Sequence, residues 1–304
     1  MSKDIPWLEF DSPWFFNPGT VRMPYPPQNR TAAEIAQQLV RGGLTHPYVL
    51  QTESERRLHF SGDAVQSVMR LDEPDALACA YTRKMMAFLL FNPRPRSIVM
   101  VGLGGGSLAK FCYRNLHRAR ICAVEIDERV IAMREEFLMP ADDHRFRIVC
   151  DDGAHFISQL AERIDIVLVD AFDAVGIAPT LATTDFYAQV AARLSSRGVL
   201  VMNFSGEPQR YASHIDRILV AFGGAALLVP VLAEDNLLLF AFKGALSLPK
   251  VAAYESRARR LQSRLALEFP RFLRRIRQGH ILVRASASNV AKPHPHARRS
   301  LARP

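Results

Sequence analysis

The chain has 304 residues, of which 49% are hydrophobic, and a formal net charge of +9 at pH 7, which suits one or two globular domains. Its apolar runs, such as residues 98–103, are far shorter than the roughly 20 residues of a membrane-spanning helix, and the run at residues 164–169 is interrupted by an aspartate. The four cysteines form no CxxC pair, which argues against a disulfide framework or a zinc site, and we expect no metal.

The N-terminal part predicts a small β unit over residues 1–73. The first residues carry acids and lack the apolar stretch of a signal peptide, so we predict a cytoplasmic location. Short β-like runs between residues 48 and 71, with a Ser-Gly-Asp turn between the second and third, predict antiparallel strands. The preceding Pro- and aromatic-rich segment predicts no definite structure. Apolar spacing over residues 74–90 predicts a connecting helix.

From residue 95 onward the chain alternates buried-strand runs with helical stretches. The runs SIVMVGLG, RICAVEID, FRIVCDD, IDIVLVDAFD and GVLVMNF are followed by a segment that looks like two final strands. This alternation is typical of a parallel α/β sheet. We therefore predict a Rossmann-like, class I methyltransferase-type sheet of seven strands in a nucleoside-binding catalytic domain over residues 74–250.

The positive charge lies at the C-terminal end. Residues 251–304 contain 13 Lys or Arg and two Glu, a net of +11, so residues 1–250 carry a net of −2. We predict a basic amphipathic helix to about residue 278 and then a disordered, Pro-rich tail. This segment is a minor candidate for contact with nucleic acid or an anionic surface, and a solvated face is the more common alternative.

Three features predict a nucleoside site at the carboxyl ends of the strands. The first is the glycine-rich loop after the first strand, with Gly102, Gly104 and Gly106 as candidate contacts. Glu125, about twenty residues later, is placed to accept hydrogen bonds from both ribose hydroxyls, and Asp152 to accept one from an adenine amine. The alternatives are a plain turn with solvated acids, or a nicotinamide site, against which Ser107 counts because GxGxxG is expected there.

Two acids, Asp170 and Asp173, follow the fourth strand at the mouth of the predicted cleft. Here DAFDAVGIAPTLATTDFY resembles DSSDPxGPAxxLFxxxFY of the spermidine synthase (polyamine aminopropyltransferase) family. VEIDERVIAMREEF, DDGAHFI and LSSRGVLVMN are also similar to segments of that family. GDAVQSVMRLDEPD looks like its GxxQxxxxDEF, which places Gln66 at a donor-contacting position. The resemblance covers about residues 55–245. An exposed acidic loop, or an Asp173 that caps a turn, is the structural alternative for this pair.

The resemblance implies transfer of an aminopropyl group from decarboxylated S-adenosylmethionine to a small amine acceptor. It implies that Asp170 accepts the amine's proton and that Asp173 holds the amine's charge. It also implies a homo-oligomer built through the N-terminal strands.

The departures from the family pattern concentrate on the amine pocket. Gly105 stands where the family has an acid that contacts the donor's amine. The family's Tyr-His/Gln-Glu-Met becomes Thr82-Arg83-Lys84-Met85, and we expect the two cations to repel a diamine. The family's PTYxxxxW stretch begins Pro-Val-Leu here, so the aromatic amine clamp is expected to be missing.

Three hypotheses follow, with aminopropyl transfer first. The second is a methyltransferase that uses S-adenosylmethionine itself, in which Arg83 or Lys84 pairs with the carboxylate that the decarboxylated donor lacks. The third is a non-catalytic homologue that kept the nucleoside site.

Overall fold

The computed structural model describes residues 5–62, 65–171, 177–205, 211–223, 225–231, 236–244, 251–278 and 280–283, and these residues form two sheets. The N-terminal sheet is antiparallel throughout, in the order β1-β2-β3-β4-β5. Its strands are β1 Trp7–Asp11, β2 Thr20–Pro24, β3 Thr45–Gln51, β4 Glu55–Ser61 and β5 Val65–Arg70. The predicted small antiparallel unit is confirmed, and it is larger than predicted.

Helix α1 (Ala32–Val40) connects β2 to β3. It begins at Thr31, whose hydroxyl accepts from the Glu34 backbone N–H, while the Glu34 side chain accepts from the Thr31 backbone N–H. This capping box satisfies two amides that the first turn leaves unpaired. Ile35 and Leu39 are fully buried with β2 and β3 residues, so α1 closes the core of the N-terminal unit.

The second sheet has eight strands in the order β13-β11-β12-β10-β9-β6-β7-β8. They are β6 Ser97–Val101, β7 Arg120–Glu125, β8 Phe146–Cys150, β9 Ile164–Val169, β10 Leu194–Ser205, β11 Ala225–Val231, β12 Asn236–Phe242 and β13 His280–Val283. The neighbours from β10 to β8 are parallel, and β12 runs antiparallel to both β10 and β11. The predicted Rossmann-like sheet is confirmed, with the additional strand β13 at its edge.

Helices connect and cover these strands. They are α2 Ala80–Met85, α3 Phe88–Phe91, α4 Ser107–Asn115, α5 Glu128–Ala132, α6 Gly153–Gln159, α7 Thr184–Arg193, α8 Ala212–Ala221, α9 Val251–Leu265 and α10 Phe269–Gln278, with a 3₁₀ turn at Pro179–Ala182. The helix predicted over residues 74–90 is therefore two short helices. The described helices include none that is both long and apolar enough to cross a membrane.

The basic C-terminal segment forms two helices that belong to the main core. The chain turns between them at Ala266, which has a φ of +53°. Their inner faces are buried in the same cluster as α2, α3 and the sheet, through Tyr254, Leu261, Phe269 and Phe272. The arginines of their outer faces are exposed to solvent: Arg259, Arg260, Arg264, Arg271, Arg274 and Arg277.

Buried polar contacts fix the N-terminal sheet against the second sheet. Lys110 of α4 is buried, and its ammonium donates to the Met69 sulfur (3.0 Å) and to the carbonyls of Pro74 (2.6 Å) and Phe137 (2.8 Å). The carboxylate of Glu136 is paired with Arg22 of β2 and Arg56 of β4. The N-terminal sheet is therefore held as a wall over the carboxyl ends of the parallel strands.

Candidate active site

A cavity of about 1000 Å³ lies between the N-terminal sheet and the carboxyl ends of the strands of the second sheet. Open α/β sheets place their ligands at this edge. Six of the eight predicted site residues line the cavity: Gln66, Gly102, Gly104, Glu125, Asp152 and Asp170. Asp173 lies outside the described residues.

Gly102 allows the ends of β6 and β9 to approach each other closely. Its φ is +91°, and a Cβ there would lie 2.2 Å from the backbone oxygen of Asp170. The Asp170 N–H in turn donates to the Val101 carbonyl at 2.9 Å. This glycine therefore brings Asp170 to the glycine-rich loop. At Gly104, by contrast, a Cβ would meet nothing nearer than the Ser67 Cβ at 3.9 Å.

Gly106 is not among the residues that line the cavity. It precedes α4 with a φ of +68°, and a Cβ there would lie 2.7 Å from the Met139 Cε. Gly106 therefore begins α4 and leaves room for Met139 to pack beside it. This geometry does not support the prediction that Gly106 contacts the ligand, which stays a prediction.

Glu125, at the end of β7, is tied to the backbone around it. Its Oε2 accepts from the Leu103 N–H (2.9 Å), and its Oε1 accepts from the N–H groups of Ile126 (2.9 Å) and Asp127 (3.0 Å). Burial raises the pKa of Glu125 in spite of these bonds. A carboxylate offers about four acceptor positions, so one stays open for a ligand hydroxyl, on Oε2.

Asp152 caps helix α6. Its Oδ1 accepts from the N–H groups of Ala154 (2.8 Å) and His155 (3.0 Å). Burial alone would raise the pKa of Asp152, but these bonds and one from the Thr180 hydroxyl hold it below its usual range. The side chain therefore lines the cavity as a carboxylate, with one oxygen committed to the helix.

Asp170 follows β9 and is the carboxylate nearest the centre of the sheet edge. Its Oδ1 accepts from the side-chain amide of Asn203 at 2.9 Å. Burial raises the pKa of Asp170, while the hydrogen bonds from Asn203 and from the Tyr81 hydroxyl lower it. The outcome is a carboxyl group with a raised pKa that is held in a fixed orientation.

The two cations that we expected to repel a diamine do not line the cavity. Arg83 donates to the carbonyls of Leu77 (2.8 Å) and Ala78 (2.5 Å), and Lys84 shares a separate small pocket with residues of α10. That expectation is wrong because only the first turn of α2, with Tyr81 and Thr82, reaches the cavity. For the same reason Arg83 is not placed to pair with a cofactor carboxylate.

Aromatic side chains line the cavity from positions that the family pattern did not indicate. They are Phe60 of β4, Tyr81 of α2 and Tyr211 just before α8. The hydroxyl of Tyr81 is the one that reaches Asp170, whereas the family pattern aligns its tyrosine with the next residue. At Gly105 a Cβ would lie 2.7 Å from the Ser67 hydroxyl and 3.0 Å from the Phe137 ring, so these two side chains occupy the space beside this glycine.

Sequence reasoning also missed polar side chains of the cavity, among them Asn203, Asn236 and His214. The two asparagines are buried, and Asn236 donates to the Asn203 oxygen at 3.0 Å. The ring of His214 lies 3.1 Å from the Tyr187 hydroxyl, and burial lowers the pKa of His214. The signal for the asparagines was their position, at the end of GVLVMN and at the start of NLLLFAF.

The described lining carries more acid than base. Five carboxylates face the cavity: Glu125, Asp127, Asp151, Asp152 and Asp170. The described lining contains one Lys or Arg side chain, that of Arg129, and it is paired with Asp127 at 2.6 Å. A cleft lined by one sign of charge attracts ligands of the opposite sign, so this cavity suits a cation.

The fold and the cleft define a Rossmann-like protein of the class I methyltransferase type. Human methyltransferase-like protein 13 in complex with SAH shares the fold with a TM-score of 0.56 at 20% identity, covering 62% of this chain and 93% of that chain. A probable spermidine synthase from Corynebacterium glutamicum gives 0.60 at 14% identity, covering 82% of this chain and 96% of that chain. These likenesses concern the fold alone.

The sequence comparisons identify the family as well as the fold. The family model of the spermine/spermidine synthase domain matches residues 78–226. The polyamine aminopropyltransferase of Chromobacterium violaceum is 38% identical over 235 residues, which cover 75% of this chain and 90% of that relative. The chain belongs to the spermine/spermidine synthase family.

Proposed function

We propose that this chain is a polyamine aminopropyltransferase, which moves an aminopropyl group from decarboxylated S-adenosylmethionine to a small amine. The observation that carries the proposal is Asp170, held by Asn203 and Tyr81 in the cleft that also contains the glycine-rich loop and Glu125. The family membership supports the same chemistry.

In this reaction the lone pair of a neutral amine attacks the methylene next to the sulfonium. A carbon–nitrogen bond forms, the carbon–sulfur bond breaks, and its electron pair goes to sulfur, which leaves as the neutral thioether methylthioadenosine. The new ammonium releases one proton. Two reactants held in line in one cavity react far faster than in solution, so placement by the cleft is a main contribution of the protein.

Asp170 is the group to which we assign that proton. A carboxylate of ordinary pKa is a weak base for the proton of an ammonium group. Because the pKa of Asp170 is raised, its carboxylate is a stronger base for this proton. The carboxylate also stabilises positive charge on the nitrogen as the bond forms. The role of Asp173, holding the charge of the acceptor, stays a prediction.

The charge of the cleft supports the decarboxylated donor. This donor carries a sulfonium and an ammonium and no carboxylate, which suits a lining with five carboxylates. A carboxylate on the donor would need a cation, and in the described lining Arg129 is already engaged by Asp127. We assign donor contacts to Gln66, Gly102, Gly104, Glu125 and Asp152, with the ribose on the open position of Glu125.

The test is turnover with and without the Asp170 carboxylate. Purified protein would be incubated with decarboxylated S-adenosylmethionine and a panel of diamines, and methylthioadenosine would be measured. Asp170→Asn should lower turnover by about 10²–10⁴-fold while nucleoside binding, followed by calorimetry, persists. Asp185→Asn on α7, outside the described lining of the cavity, is the matched control.

Each other outcome of this experiment would support a different conclusion. Unchanged turnover in Asp170→Asn would refute the assigned role of this residue. Methyl transfer from intact S-adenosylmethionine would establish the methyltransferase instead, and nucleoside binding without product from any amine would establish a non-catalytic homologue. The homo-oligomer and contact of the basic helices with nucleic acid or an anionic surface stay predictions.

A further inference from the structure

Asp170 stands at the end of a chain of hydrogen bonds that crosses three neighbouring strands. Asn236, at the start of β12, donates to the Asn203 side-chain oxygen at 3.0 Å, and Asn203 of β10 donates to Asp170 Oδ1 at 2.9 Å. The strand register brings these residues together, because Met202 pairs with Val169, and Asn236 pairs with Ser205, two residues beyond Asn203.

The chain of bonds has a direction. An asparagine side chain presents one acceptor oxygen and one donor nitrogen. Because Asn236 donates to the Asn203 oxygen, the nitrogen of Asn203 is turned toward Asp170. With its amide reversed, Asn203 would present its oxygen to the carboxylate. Asn203 is 3% exposed and Asn236 is 9% exposed, so water competes little for these positions.

We propose that Asn236 is a positioning residue for the transfer reaction, which fixes the amide orientation of Asn203 and thereby holds Asp170 in the cleft as a hydrogen-bonded carboxylate. This inference rests on the proposed function, in which Asp170 accepts the proton. A buried amide that is aimed at a charged group contributes more than a neutral pair does, so its orientation matters.

Other titratable groups also face the cleft around Asp170. Tyr81 comes from α2 and hydrogen-bonds Asp170 directly. The remaining described groups in the lining are Cys79, Glu125, Asp127, Arg129, Asp151, Asp152, Tyr211 and His214. Substitutions at Asn236 leave all of these residues unchanged. A changed pKa of Asp170 in Asn236→Ala therefore reports on the hydrogen bonds from Asn236 to Asn203 and from Asn203 to Asp170, which we call the asparagine chain.

The experiment compares Asn236→Ala and Asn236→Asp with the wild type. In the alanine variant, the Asn203 oxygen loses the hydrogen bond from residue 236, so the Asn203 amide is free to reverse. An ionised aspartate can only accept, so Asn236→Asp turns the Asn203 nitrogen toward residue 236 and the oxygen toward Asp170. Its negative charge also raises the pKa of Asp170, so the uncharged alanine variant carries the test of the amide orientation. Asn92 is the matched control, because it is 7% exposed, donates to the Arg197 carbonyl at 3.4 Å and lies outside the described lining of the cavity.

The first measurement is the pKa of Asp170 in the ligand-free protein, from the ¹³C shift of its carboxyl group, assigned with Asp170→Asn. We expect a rise in Asn236→Ala and a larger rise in Asn236→Asp, by about one unit or more, which is a tenfold change in proton affinity. The second is the pH profile of kcat/KM, whose acidic limb should move upward with the same ranking. Both should be unchanged in Asn92→Asp.

An unchanged pKa of Asp170 in Asn236→Ala would overturn the inference. If the KM for the acceptor rose at the same time, Asn236 would be a direct substrate contact instead. An equal shift in Asn92→Asp would show a general effect of destabilisation. Asn236→Ser keeps a donor, and it should restore the wild-type pKa in part. If the wild type transfers no aminopropyl group, the proposed function fails, while the ligand-free measurement still tests the asparagine chain.

Discussion

Replacing Gly102 with alanine should damage both stability and turnover, for a reason that the backbone geometry makes quantitative. The φ of +91° costs a residue with a Cβ about 1–2 kcal/mol. The added Cβ would also lie 2.2 Å from the Asp170 backbone oxygen, and such overpacking costs about 1–3 kcal/mol. We therefore expect Gly102→Ala to lose about 2–5 kcal/mol of unfolding free energy, measured by urea denaturation.

The same substitution should displace Asp170. Relieving the clash requires the end of β9 to move by roughly 1 Å, and a misplacement of that size costs about 100-fold in rate. Gly223→Ala is the control, because Gly223 has a φ of +74° and a Cβ added there would meet no atom within 4 Å. It should lose only the conformational term and keep full turnover. Equal stability and equal turnover of the two variants would refute this reasoning.

Two further predictions concern cations outside the described lining of the cavity. Arg83→Ala should leave donor affinity unchanged in calorimetry, because Arg83 binds the Leu77 and Ala78 carbonyls, and a clear loss of affinity would contradict this placement. Burial lowers the pKa of Lys110 to about 8 in the folded protein, from 10.5 for an unperturbed lysine. Unfolding therefore takes up a proton between these pH values, so wild-type stability should rise with pH across that window. Thermal unfolding of Lys110→Met should lack this contribution, and an identical pH dependence in both proteins would contradict it.

The parallel sheet could be predicted because its strands are continuous apolar runs that end in glycine or acid. Since the carboxyl ends of parallel strands meet at one edge, Gly102, Glu125, Asp152 and Asp170 were expected in one cleft, and the structure places them there. Gly106 does not line the described cavity, and the spacing of the glycines does not reveal which way each of them faces. Here the space beside Gly106 is filled by Met139.

The bonds around Asp170 could not be predicted from the sequence. Tyr81, Asn203 and Asn236 are far apart along the chain, and they meet only through the strand order and through the position of α2. Helix α1 is different, because the local pattern Thr31-x-x-Glu34 could have revealed it. Strands β1 and β2 are short and lie in a Pro-rich segment, where periodicity carries little information.

The burial of α9 and α10 determines how the basic surface of this protein should be studied. Cutting the chain at residue 250 to abolish the positive charge would strip Tyr254, Leu261, Phe269 and Phe272 from the main core and uncover the apolar surface beneath them. If the truncated protein then adhered to a column or precipitated, the cause would be this uncovered apolar surface and not the loss of positive charge. Exchanging the outer arginines for glutamine in the full chain alters the charge while the scaffold stays intact.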